Sequence, residues 1–498
     1  MVPLMMLPVQ LLLMRQAAAG TPLHVRLTSP VGTYASKAGM ALSAVLIAPV
    51  MAAGDTLIPA GSRLAGTVTR VSRVGLGIVH ETASLGLEFS QVTLPDGSTL
   101  DLSTRIRQVD NGRERIARDG SILGARSTNS IAYRASGYIR TVLGWEVHAQ
   151  LAIWAVKLLL VQVPEPEIYY PAGSELTLAL TEPVFADRQP EPIDSTELTW
   201  KERGDLDRVI ADIPDRAYAR GSSHGPARPS DLINMMFIGS REELAASFAA
   251  AGWSETKAPS VRSTILNMRA ISEFRGDAAP PMSILLVNDA PPDFALQKGL
   301  NDVSKRHHIR IWKQPDTLDG QEIWIGAATR DINYAYLRPG HALMTHQIES
   351  DIDNERDKIA HDIQFTSCAE AVDWWDRPGF PLFSHNATGD LMSTDGRLAV
   401  VRLNACASPH VAADDPNAPQ LLAHGGKFQR FVRREILSVR SDLYRHNVYF
   451  RSYEGARWMV TAIRKRHQPA TTPSDDADQP ETVAGSFASK LRNSSWLR

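Results

Sequence analysis

Two stretches of this sequence place histidine, arginine and aspartate at spacings that could support chemistry. In Arg306-His307-His308-Ile309-Arg310-Ile311-Trp312 polar and apolar residues alternate. An extended chain turns successive side chains to opposite faces. His307, Ile309 and Ile311 therefore share one face, and Arg306, His308, Arg310 and Trp312 the other. An imidazole there could move a proton near neutral pH, and a planar guanidinium two residues on could hold an anion. The second stretch is Thr345-His346, then Ser350-Asp351-Ile352-Asp353-Asn354-Glu355-Arg356-Asp357. Ser350 with Asp353 reads as a capping box, so a helix is expected to start there. Ile352, Ile359 and Ile363 fall on its apolar side, and Asp353, Asp357 and His361 on another. The candidate catalytic residues are His308, Arg310, His346 and Asp353. His346, Asp351, Asp353 and Asp357 are candidate ligands of a divalent metal. The plainer alternative is a polar sheet face beside a solvated acidic first turn.

Several elements must position these residues. Glu322 to Thr329 alternates as Arg306 to Trp312 does, and Pro315, Asp316, Asp319 and Gly320 between them are turn formers, so a hairpin is expected. Upstream, Leu232 to Ile238 reads as a buried strand. Gly239-Ser240, a helical stretch from Arg241 to Ala251, and Gly252-Trp253 follow. Gly239-Ser240 could cradle a phosphate or simply cap the helix.

The first part of the chain reads differently. Val25 to Leu27, Ala44 to Ile47, Arg63 to Val71, Leu85 to Leu94 and Leu176 to Leu180 are short runs separated by turn signals. Leu57-Ile58-Pro59-Ala60-Gly61-Ser62 is echoed by Tyr169-Tyr170-Pro171-Ala172-Gly173-Ser174. These point to a β-rich domain over 21–185. A Pro- and Gly-rich linker holding a short charged helix is expected over 186–230. A second domain over 231–465 ends in a helical extension, and a disordered tail is expected over 466–498. Val2 to Met14 is apolar and leads to Ala17-Ala18-Ala19-Gly20, as in a secretory signal over 1–20 with a mature start near Gly20. Val147 to Val163 is apolar, but it carries His148 and Lys157, which favours a helix packed on the barrel over a membrane span. Phe428 to Tyr444 reads as an Arg-rich amphipathic helix that could lie on anionic lipid or pack on its own domain.

A net charge of −2 over 498 residues gives no electrostatic case for a nucleic-acid partner. The two cysteines, Cys368 and Cys406, could pair in an oxidising compartment or stand as separate buried thiols. No P-loop or H-E-x-x-H motif occurs.

Ala44-Val45-Leu46-Ile47-Ala48-Pro49-Val50, Gly54-Asp55-Thr56-Leu57-Ile58-Pro59-Ala60-Gly61-Ser62 and Pro171-Ala172-Gly173-Ser174-Glu175-Leu176 resemble the β-barrel domain of TrbI-like conjugal-transfer proteins. That resemblance implies a periplasmic scaffold. Further on, Gly239-Ser240-Arg241-Glu242, Ala251-Gly252-Trp253, Asp293 to Lys298, Arg306 to Trp312, Trp324 to Asp331, Thr345 to Asp357 and Thr394 to Leu398 resemble, in that order, the LssY C-terminal domain family over about 230–405. The family is named for a secretion component and implies no assigned reaction. In its relatives the domain often follows membrane-embedded modules, whereas here an apparent barrel precedes it.

The expected fold class is mixed α+β: a barrel-like domain followed by an α/β domain with a hairpin and capped helices. The expected function is that of an exported periplasmic or envelope protein, structural or secretion-associated, binding a partner or an anionic envelope ligand. The alternative is a hydrolase of phosphoesters or glycans that depends on a metal or on histidine and aspartate.

Overall fold

The structure is a computed structural model. It describes residues 15–52, 55–75, 82–126, 165–186, 200–219, 227–257, 260–273, 276, 281–336 and 344–406, with scattered residues between 428 and 460. The stretch Val147 to Val163 and the tail over 466–498 lie outside the described residues. Among those described, no helix is long and apolar enough to cross a membrane.

The fold is mixed α+β and mostly strands. Six longer strands build the first domain: β1 Pro22–Leu27, β2 Ala41–Leu46, β3 Arg63–Ser72, β4 Ser84–Thr93, β5 Thr104–Val109 and β6 Glu175–Leu180. They pair antiparallel in the order β5-β6-β1-β2-β3-β4. Alternation turns Leu23, Val25, Leu42, Leu46, Leu64, Val68 and Phe89 inward to one core. The sheet nearly closes into a barrel where β5 returns to β4. There the Thr104 hydroxyl accepts from the Phe89 N–H at 3.1 Å and donates to its carbonyl at 2.8 Å. β3 and β4 approach so closely at Gly66 that a Cβ would lie 2.3 Å from the Glu88 carbonyl oxygen. The echoed Pro-Ala-Gly-Ser segments form matching turns, with Gly61 at φ 84° and Gly173 at φ 88°, a conformation that glycine adopts without a Cβ clash.

The second domain holds β7 Met235–Ile238, β8 Phe294–Lys298, β9 Arg306–Leu318, β10 Gln321–Tyr336, β11 Met344–Ile348, β12 Ala369–Asp376 and β13 Arg397–Leu403. Their order is β8-β9-β10-β7-β13-β12, with β11 paired to the far end of β10. Among these described strands, β7 and β13 are the pair that runs parallel. One face carries Phe237, Ile309, Ile311 and Trp324 against helices α2 Arg241–Ala250 and α4 Asp353–Phe365. The other carries Met236, Trp312, Ile325 and Val400 against α1 Trp200–Asp212. Helix α3 Val261–Ser272 lies beside Val303 and Tyr334.

Two local readings are corrected, and two others meet further structural detail. The β9–β10 turn is made by Asp319 and Gly320 alone, both at positive φ, the two-residue geometry that matches strand twist. Pro315 and Asp316 lie inside β9, where the register shifts between Lys313 and Thr317. A bulge tolerates proline because no ladder N–H is needed there. The Ser350–Asp353 capping box does not form. Ile352 is the N-cap of α4 without a side-chain cap bond, and the Asp353 N–H donates to Asp351 Oδ1 at 3.2 Å. The expected linker also contains part of the second core. Leu206, Ile210 and Ile213 are buried there, and Arg216–Ala219 pairs with Arg228–Leu232. Finally, Arg15–Ala17, expected to end a signal, pairs with Val184–Ala186 and buries Ala17. A cut near Gly20 would remove that strand.

Candidate functional site

The β9–β10 register sets Arg306 opposite Asp331 and His308 opposite Thr329, and the β10–β11 register sets Tyr334 opposite His346. His308 and His346 are thereby brought together around Asp331, with Arg306 beside them. Asp331 Oδ1 lies 3.0 Å from His308 Nε2, and Oδ2 accepts from Arg306 Nε at 2.7 Å. His346 Nδ1 lies 3.3 Å from the same Oδ2. Thr329 Oγ1 is 3.2 Å from His308 Nδ1. On the same face, Arg310 Nη1 donates to Asp231 at 3.0 Å and its Nε to the Ser283 carbonyl at 3.0 Å.

The electrostatics follow from this crowding. Burial alone would raise Asp331, but His346, His308 and Arg306 outweigh it and hold the carboxyl far below the usual carboxylate range. Burial, reinforced by Arg306 and His308 and only partly opposed by Asp331, pushes His346 down to about 4. His346 is therefore neutral at neutral pH, and its side chain is 25% exposed against 6% for His308. A neutral imidazole beside a fixed carboxylate can accept a proton. The terminal nitrogen Nη1 of Arg306 is buried without a hydrogen-bond partner.

Asp353 and Asp357 are placed elsewhere. Both face Arg356, whose guanidinium is fully buried. Arg356 donates to Asp353 at 3.0 Å, to Asp357 at 2.8 Å and to Asp395 at 2.6 Å. Asp353 also accepts from the Thr394 hydroxyl and the Asp395 N–H. These carboxylates fix α4 to the turn before β13. The Asp351 carboxylate caps the first turn of α4. Among the described residues, no group of three or more histidine, cysteine, aspartate or glutamate side chains is arranged to hold a metal ion. Cys368 and Cys406 are joined by a disulfide.

A third cluster joins the two domains. Across it, Arg26 and Glu175 of the barrel meet Lys298, Lys358 and Asp362. Glu175 accepts from Arg26 at 2.6 Å, Lys298 at 2.5 Å and Lys358 at 2.6 Å, and Asp362 accepts from the same three groups. Beside them, His307 lies 2.6 Å from Asp110 through Nε2 and 2.5 Å from Glu355 through Nδ1. Arg330 donates to Asp110 at 2.7 Å. Asn301 accepts from the Arg113 N–H and donates to Glu114. Burial would raise Glu175, but its three cations hold it well below the ordinary range.

The sequence reading gave no role to Asp331, His307 or the joint. Asp331 closes the stretch Trp324 to Asp331, and the sign for His307 is a histidine alternating with two isoleucines on an apolar face. The barrel partners carried no local signal, since Arg26 and Asp362 are 336 positions apart.

A family model described as the LssY C-terminus matches residues 213–398, so the second domain is the part of this chain similar to that family. No curated protein matches the chain. Among solved structures, ComB10 of the Com type IV secretion system of Helicobacter pylori matches at 14% identity and a TM-score of 0.21, over 34% of this chain and 90% of that one.

Proposed function

We propose that this chain is an exported structural or secretion-associated component of a bacterial cell envelope. In this reading the barrel holds the second domain as a fixed head, and the head binds a partner protein or an anionic envelope ligand. The supporting observation is the joint. Its ionisable side chains are engaged with one another across the two domains, an arrangement suited to holding one body on another. The C-terminal helical residues fit an envelope setting. Arg433 and Arg440 hold to the barrel at Glu167, Val74 and Gly75, while Phe428, Phe431, Val432 and Ile436 face outward and could meet a membrane surface. The test is fractionation of cells producing the full chain, with protease added to intact and permeabilised cells. Recovery in the envelope fraction, cut only after permeabilisation of the outer barrier, supports the reading. Soluble cytoplasmic chain with Met1 intact overturns it.

The Asp331–His346 pair favours a second reading, a hydrolase of phosphoesters or glycans. A panel of chromogenic phosphoesters and glycosides tests it. Turnover that His346→Ala abolishes would establish this reading, and turnover unaffected by that change would remove it.

A further inference from the structure

We infer that His307 is a pH-sensitive latch between the barrel and the second domain, closed while its ring carries two protons and released when it loses one. The geometry carries this. Neither Asp110 nor Glu355, as carboxylates, can donate, and each lies within hydrogen-bond distance of one ring nitrogen. Only the doubly protonated imidazole can donate to both. A neutral ring keeps one N–H, so the other nitrogen lone pair then faces a carboxylate oxygen. The two carboxylates also lose the cation between them.

The surroundings agree. Arg330 of β10 shares Asp110. From α4 come Glu355 and Lys358, from β8 comes Lys298, opposite His307 in register, and from the barrel come Asp110, Glu175 and His24. Glu349 lies after β11 and faces the same group. The Trp253 ring stands 6.2 Å away and keeps the remaining side apolar. Burial opposes the charge on His307, but Asp110 and Glu355 outweigh burial and raise the imidazole above its ordinary value of 6.5. A raised folded value means that the stabilisation is complete below 6.5 and fades as pH rises through the folded value. Burial and the cationic neighbours Arg26 and Lys358 lower Lys298 despite Asp362 and Glu175, and a lysine with a lowered folded value gains stability as pH rises, so it cannot produce this fall.

The Arg113 amide reports the joint directly, because it donates across it to Asn301 Oδ1 at 2.9 Å. Hydrogen exchange of that amide in the full chain, corrected for base catalysis, gives its protection from pH 6 to 10. Loss of one proton per opening predicts that protection is flat at low pH and then falls about tenfold per pH unit. Lys298→Arg, which keeps a cation, should retain that fall. His307→Gln should abolish that fall. Should that variant not fold, Asp110→Asn serves, because it removes the carboxylate on the barrel side. Protection in the wild type that stays flat to pH 10, or a fall unchanged in His307→Gln or Asp110→Asn, overturns the latch.

Discussion

His307 and His308 are adjacent in the chain, yet they enter clusters of opposite character. His307 points from β9 toward α4 and the barrel and lies between two carboxylates, one from each domain. His308 points to the other face and shares Asp331 with Arg306 and His346, all within the second domain. Strand alternation alone decides which side each takes. What lies on each side then decides the charge. Two carboxylates favour an imidazolium at His307, whereas burial among cations leaves His346 neutral. The same residue type thus stabilises the fold in opposite pH ranges.

The comparison can be broken from the joint side first. Glu175→Ala would leave Arg26, Lys298 and Lys358 buried with Asp362 as their shared carboxylate. We expect a loss of roughly 3–5 kcal/mol, read by urea unfolding at neutral pH. A loss below about 1 kcal/mol, the range of exposed ion pairs, would mean that the joint is wet and weak. Asp331→Asn strikes the other face and strands the Arg306 guanidinium. The expected cost is about 3 kcal/mol, with the cooperativity of the joint intact because the cluster lies within one domain.

The pH dependence sharpens the contrast. His346 has a folded value of about 4, below its ordinary 6.5. Between those values the unfolded chain binds a proton that the folded chain excludes, so stability falls as pH drops from 6.5 toward 4. His346→Gln should flatten that acidic limb in thermal unfolding and leave the alkaline limb, assigned above to His307, unchanged. An acidic limb of equal slope in the variant would show that another group sets it. The smallest effect is expected for Asp353→Asn, about 1 kcal/mol, because Asp357 and Asp395 still hold Arg356. A cost as large as that of Asp331→Asn would give Asp353 a role beyond fixing α4.

The parts of this architecture that depend on neighbours in the chain were legible in the sequence. The β9–β10 hairpin followed from alternation, and the turns at Gly61 and Gly173 from Pro and Gly spacing. The meeting of His308 with His346 is less local, since it needs the register of β9 on β10 and of β10 on β11. Asp353 lies apart from the two histidines for a physical reason. Its place on a helix face was readable, but its partner Asp395 comes from a turn some 40 residues on and captures it through Arg356. The joint was invisible because its carboxylates and cations look like ordinary surface charges until the barrel covers them.

That covering has a consequence for how such domains are combined. A second domain of this kind attached to some other module would expose the positions of His307, Lys298, Lys358 and Asp362 to water. An imidazole left with Glu355 alone, or lysines left with Asp362 alone, would then have no cross-domain work to do. These four positions should therefore vary together with the identity of the preceding module. They would act as a fingerprint by which a barrel-bearing chain is distinguished from one that carries the same head on a different base.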